Sequence, residues 1–211
     1  LYFAAKLNDK VEDLDLNLDD YVQKINSDLV GKYLNIASRS SSFINKNNDQ
    51  VDTNLDSTLL TGIVNNKDLV INLYENRQYS KAVRLIMEMA DGINKYINEN
   101  TPWKKDIKDA TRIASVALNG FYYLSIYLKP IIPNITKSAF KFLGNPSSNF
   151  DDVGNELVDK ITKYKPILNR LEKIILNKEE EMEDLNTINI DQFIDVDLRI
   201  AKVIKASHVD G

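Results

Sequence analysis

Asn35 and Arg39 stand four residues apart in the segment NIASR. On a helix that spacing puts the two side chains one turn apart on the same side. An amide both donates and accepts hydrogen bonds, and a guanidinium donates a planar fork of them. Together they suit the polar edge of a nucleic-acid base. The same pair also suits a solvated helix edge, or a bond to a neighbouring helix. The single tryptophan, Trp103, follows Pro102 and precedes Lys104 and Lys105. It could anchor a helix start in the core, or offer a flat face on which an unpaired base stacks. Lys104, Lys105, Lys108 and Arg112, with Lys32 near the first pair, would supply phosphate contacts. Such a run is equally the solvated start of a helix.

Other chemistries lack their residues. The seven glycines are too scattered for a Gly-rich phosphate loop. His208 is the only histidine, so no His-based triad or His metal cluster is available to the rest of the chain. With no cysteine there is no disulfide, thiolate metal site or thiol nucleophile, which fits a reducing, cytoplasmic setting. Asp19 and Asp20 fall where they would cap a helix rather than catalyse. No catalytic residue and no metal ligand is assigned.

The elements that must position these residues read as helices. From Asn17 to Asn47 the stripe Leu18, Val22, Ile25, Leu29, Tyr33 and Ile36 has helical spacing. Asp28, Lys32, Asn35 and Arg39 form a polar flank beside it. Asn17 is the expected N-cap, with Leu16 and Tyr21 at the spacing of a hydrophobic staple. A second amphipathic stretch covers 53–75, with Gly62 and Asn65-Asn66 as weak points. Gln78 to Glu99 is a third, stopped by Pro102. Asp106 to Leu128 is a fourth and very apolar, and Pro133 opens a fifth. Residues 145–154 read as a loop. Leu157 to Leu176 contains Pro166 and reads as extended before a helix over 167–177. Residues 178–189 form an acidic linker. From 190 the period changes to two, with β-branched residues, as in the first strand of a separate β domain.

The chain has 211 residues, 43% hydrophobic and 27% charged, with a net charge of −4. That is ordinary globular composition. The charge is uneven: residues 101–150 carry 7 basic and 2 acidic groups, and residues 151–211 carry 9 and 14. A local basic face can bind phosphates on an acidic chain. No apolar run is long enough to span a membrane, and no signal peptide is visible. The start at Leu1 and the stop in mid-pattern at Gly211 suggest a piece of a longer protein.

Several segments resemble the bacterial methionyl-tRNA synthetases. DYVQKINSDLVGKYLNIASRSSSFINK is similar to the first helix of that family's anticodon domain, including its N-x-A-S-R element. YSKAVRLIMEMADGINKYINENTPWK resembles the helix leading into the family's Pro-Trp element. FYYLSIYLKPIIPNITKSAFKFLG has its K-P-x-x-P helix end, and DQFIDVDLRIAKVIKASHVDG resembles the opening of its C-terminal OB-fold tRNA-binding domain.

The resemblance implies an all-α helical bundle, the anticodon-binding domain of a class I aminoacyl-tRNA synthetase, with a truncated β (OB-fold) start. Its domains would be 1–16, the end of a connection from a catalytic domain; 17–177, the bundle; 178–189, the linker; and 190–211, the OB-fold start. It implies recognition of the CAU anticodon stem-loop of methionine tRNA within a methionine–tRNA ligase. Asn35 and Arg39 would bond to bases and Trp103 would stack on the wobble cytosine. ATP, methionine and zinc would belong to a catalytic domain outside this chain, so the chain alone would not catalyse. The OB-fold would dimerise the full enzyme, leaving this piece monomeric. Two other readings stay open: the anticodon domain of another class I synthetase, such as one for valine, leucine or cysteine, and a helical protein-interaction module without an RNA role. The last predicts that Asn35, Arg39 and Trp103 lie on separate faces.

Overall fold

The computed structural model describes residues 2–6, 17–158 and 160–173, with Lys202 and Ile204. The chain divides into two compact units, Leu1–Ile174 and Ile175–Gly211. The first is helical, and its only strand-like pairing among the described residues is a single antiparallel bridge between Gln50 and Lys160. The expected linker over 178–189 and OB-fold start over 190–211 lie outside the described residues, apart from Lys202 and Ile204, as does the staple residue Leu16.

The helix expected from Asn17 is continuous to Lys46, but it is not uniform. It comprises α1 (Leu18–Lys24), a π-helical stretch (Ile25–Tyr33) and α2 (Leu34–Lys46). Asn17 caps it, its side-chain oxygen accepting from the N–H groups of Asp19 at 2.9 Å and Asp20 at 3.2 Å. The wider winding is visible where the Leu34 N–H reaches the Leu29 carbonyl, five residues back. Gly31 suits it, because a Cβ there would stand 3.1 Å from the Asn26 carbonyl oxygen. Ile25, Leu29, Tyr33 and Ile36 are buried as the stripe predicts, while Leu18 and Val22 are only half-buried.

Asp28 departs from the expected polar flank. It is 4% exposed. Tyr2, itself buried, lies over it. Its carboxylate accepts from the Tyr2 hydroxyl at 2.9 Å and pairs with Lys24 Nζ at 2.8 Å. The Ser27 hydroxyl also donates to it at 3.3 Å, and a carboxylate tolerates this position because three donors replace its water.

The weak point at Asn65-Asn66 is a true break, separating α3 (Thr58–Val64) from α4 (Lys67–Glu75). Gly62 stays helical. Then come α5 (Tyr79–Asn100), α6 (Ile107–Leu128) and α7 (Pro133–Phe142), each close to its sequence-based limits. α6 is the centre of the bundle: from Ala110 onward every residue except Arg112 is buried. It packs against α2, α3, α5 and α7. Gly120 allows the close approach of α5, since a Cβ there would lie 2.7 Å from Ile93 Cδ1.

The buried polar groups of α6 tie other segments to it. Ser115 Oγ accepts from the Asp52 N–H at 2.8 Å, and Asn119 Oδ1 from the Leu157 N–H at 2.8 Å. Ser125 and Tyr33 share a hydroxyl–hydroxyl bond of 2.7 Å. An aromatic chain runs outward from there: Tyr33 stacks on Phe121, Phe121 meets Phe142, and Phe142 meets Tyr164.

The helix expected over 167–177 does not form through Lys173, the last described residue of that stretch. Residues 161–173 run as an irregular strap back toward α1. Pro166 supplies no N–H. The Asn26 side chain then substitutes for a neighbouring strand: its Nδ2 donates to the Leu171 carbonyl at 2.9 Å, and its Oδ1 accepts from the Leu171 N–H at 2.8 Å. A helical Leu171 would have those backbone groups committed elsewhere.

Candidate nucleic-acid interface

α2 and α5 run side by side, and polar side chains line their seam. Asn35 Nδ2 donates to Asn94 Oδ1 at 3.1 Å. Arg39 donates through Nη1 to the same oxygen at 3.4 Å, and through Nη2 to Asn98 Oδ1 at 2.6 Å. Asn94 is itself fixed, because its Nδ2 donates to the carbonyls of Lys32 and Ala90, both at 3.0 Å. One α5 amide therefore aims both candidate base readers.

Trp103 reaches the same place from the far end of α5. Thr101 adopts φ 45°, a left-handed conformation that costs a β-branched residue on the order of 1–2 kcal/mol. This ends α5 sharply. The turn Pro102–Lys104 follows, with Lys104 N–H donating to the Thr101 carbonyl at 2.9 Å and Lys105 N–H to that of Pro102 at 3.2 Å. Pro102 is buried and anchors the turn, while Trp103 is 53% exposed. The core-anchor option for this tryptophan is thereby excluded. The Arg39 guanidinium carbon lies 5.9 Å from the centre of its ring. At that distance the cation–π attraction is near the weak end, about 0.5–1 kcal/mol. Asn35, Arg39 and Trp103 thus share one surface, contrary to the prediction of the protein-interaction module.

Unused capacity remains for a ligand. Asn35 Oδ1 has no partner among the described residues, and Asn35 keeps one amide hydrogen. Arg39 commits two of its five N–H groups. A planar ring on the open face of Trp103 could present its polar edge to these groups.

The surrounding cations differ in availability. Lys32 is paired with Asp91 at 2.7 Å, which offsets its charge. Arg112 donates to the Asn54 carbonyl at 3.4 Å. It also lies near Tyr96, whose phenol is raised by burial and lowered in part by this guanidinium. Lys104, Lys105 and Lys108 are exposed and have no ion-pair partner among the described residues. Asp106 N-caps α6, accepting from the Asp109 N–H at 2.9 Å. Among the described residues no group of three His, Cys, Asp or Glu side chains could hold a metal ion, and no helix is long and apolar enough to cross a membrane.

Sequence reasoning missed Asp91, Asn94 and Asn98. The signal was present: they recur at three and four residues, a polar strip on α5 beside the buried strip of Ile86, Ala90, Ile93 and Ile97. Periodicity can find such a strip but cannot say what it faces.

Over its whole length the chain is 38% identical to the methionine–tRNA ligase of Dichelobacter nodosus, and the alignment covers 35% of that protein. The corresponding enzymes of Psychrobacter cryohalolentis and Neisseria meningitidis serogroup C are each 36% identical over the full chain, with 36% and 34% of their lengths covered. The chain therefore spans about a third of the length of these curated relatives. Among solved structures, the apo form of Mycobacterium tuberculosis methionyl-tRNA synthetase superposes with a TM-score of 0.67 at 20% identity, over 74% of this chain and 35% of that one. This likeness supports the fold. The family model described as the anticodon-binding domain of tRNA ligase matches residues 56–191. That match takes in more than half of the sequence, and the chain belongs to the family of tRNA-ligase anticodon-binding domains.

Proposed function

We propose that this chain is the anticodon-reading part of a methionine–tRNA ligase and that it binds the CAU anticodon stem-loop of methionine tRNA. The observation that carries the proposal is that Asn35 and Arg39 converge on Asn94 while Arg39 also lies over the ring of Trp103. Trp103 stacks on an unpaired base, a contact worth about 1–3 kcal/mol. Arg39 offers its fork to a base edge, with about 1–3 kcal/mol of discrimination against the wrong base. Asn35 supplies an acceptor and a donor beside it. Lys104, Lys105 and Lys108 neutralise nearby phosphates, with Lys32 and Arg112 as weaker contributors because each already has a partner. The full-length similarity to methionine–tRNA ligases favours methionine over valine, leucine or cysteine.

Methionine activation, with its ATP and zinc, is assigned to the part of the relatives that this chain does not match. Homodimerisation of the whole enzyme is assigned to a C-terminal OB-fold, which residues 190–211 resemble in sequence, and a cytoplasmic location follows from the reaction. The test is Trp103→Ala in the full-length enzyme. Aminoacylation should fall sharply while methionine activation stays nearly intact. Equal loss of both would refute the anticodon role, and tRNAs with exchanged anticodons test the choice of CAU.

A further inference from the structure

Windowed charge hides a second basic region. Residues 129–142 contain Lys129, Lys137 and Lys141 and no acid. Residues 160–173 contain Lys160, Lys163, Lys165, Arg170 and Lys173 against the single acid Glu172. Between them lie Asp151, Asp152, Glu156 and Asp159, which cancel the count in sequence. The fold undoes much of that cancellation. Thr162 donates to the Phe142 carbonyl through its N–H at 2.8 Å and its hydroxyl at 3.2 Å, which lays the strap against the end of α7. Three of the intervening acids are engaged elsewhere. Glu156 accepts from the N–H groups of Asn54 and Leu55, both at 2.6 Å. Asp151 pairs with Lys67 at 3.3 Å, and Asp152 accepts from Ser147 and the Asn149 N–H.

A groove of about 490 Å³ opens between α7 and the strap, lined by Ser138, Lys141, Thr162, Lys163, Lys165 and Pro166 among others. These six are exposed, and the three lysines have no ion-pair partner among the described residues. No carboxylate lines the groove. Its one aromatic ring, Phe142, is buried, so no face is open for a base to stack on. Three lysines lining one groove without a carboxylate make a local positive potential, which recognises phosphate rather than bases.

We propose that this groove is a second RNA contact, which holds the sugar–phosphate backbone of a double-helical stem. It is distinct from the Trp103 surface. Phe142 packs on Phe121, roughly 20 Å along α6 from Ile107. The proposal rests on the chain being an RNA binder and adds a contact that ignores the anticodon.

The test is the triple substitution K141A/K163A/K165A in the present chain. Fluorescence anisotropy would follow three RNAs over a range of salt: methionine tRNA, the same tRNA with an exchanged anticodon, and a plain RNA hairpin. All three should bind more weakly by the same factor. The slope of log affinity against log salt should shrink by about 2–3, the value for losing two or three phosphate contacts. K141R/K163R/K165R should restore the slope. An unchanged slope, a loss confined to the CAU RNA, or a loss for a polyglutamate peptide but not for RNA would overturn the proposal. Because the three side chains are exposed and unpaired, the melting temperature should not move, and Lys163→Glu alone should act in the same direction. Trp103→Ala measured in parallel separates the two proposals. It should weaken the CAU tRNA and narrow its preference over the exchanged anticodon, which Arg39 and Asn35 still read, whereas the groove is judged on the hairpin.

Discussion

Asn94→Ala removes a residue that need not touch the RNA, yet it should impair reading. The substitution deletes the shared acceptor of Asn35 and Arg39 and two bonds to main-chain carbonyls. Asn35 then loses its one fixing bond. Arg39 keeps its 2.6 Å bond to Asn98 and its place by Trp103, and its lost bond was the longer one at 3.4 Å. The loss is therefore about one freed side chain and part of a second. Immobilising such side chains on binding costs about 0.5–1.5 kcal/mol each, so the CAU stem-loop should bind about 1–2 kcal/mol more weakly, or about 5–30-fold. The assay is anisotropy with CAU and exchanged-anticodon stem-loops, paired with thermal unfolding. The penalty should fall on the CAU RNA alone. If Asn94→Ala binds CAU within twofold of the parent while folding normally, or weakens both RNAs equally, the pre-organised fork is not what reads the base.

Burial makes the core sensitive to alkali. Tyr33, Tyr74, Tyr123 and Tyr127 are pushed above the ordinary phenol value, chiefly by burial, and Tyr122 is pushed up to about 12. The folded chain thus holds these protons after the unfolded chain would release them. Their contribution is complete below about pH 10 and is lost as pH rises above it, at about 1.4 kcal/mol per pH unit for each such tyrosine. Phenolate absorbance and loss of helical circular dichroism should rise together in one step above that pH. Tyr33→Phe should cost about 1 kcal/mol, or about 2–4 °C in Tm, because Ser125 keeps its 2.7 Å bond to the Phe121 carbonyl. Asp28→Ala should cost about 1–3 kcal/mol by leaving the buried Tyr2 hydroxyl without its acceptor. A double-mutant cycle with Tyr2→Phe should recover part of that loss, and full additivity would show that the bond contributes nothing.

The sequence by itself determined what depends on neighbours along the chain. The Asn17 cap, the stop at Pro102, the start at Pro133 and the break at Asn65-Asn66 were all legible. Each is set by dihedral preferences and hydrogen bonds within one turn. The buried stripe of the first helix was legible for the same reason, as was the pairing of Asn35 with Arg39 on one edge. The tertiary structure alone decided what each of these groups faces. Asn94 is 59 residues from Asn35, and Leu171 is 145 from Asn26. Asp28 has the spacing of a solvated residue and is buried, because Tyr2 lies over it. The strap has enough apolar residues for a helix, but Asn26 and Pro166 keep it out of one. Trp103 could have been core or surface until Thr101 turned left-handed and swung it outward. Periodicity records which side of an element is apolar. Which polar side remains wet, and which cations end up beside one another as Lys141, Lys163 and Lys165 do, is settled only when distant elements pack.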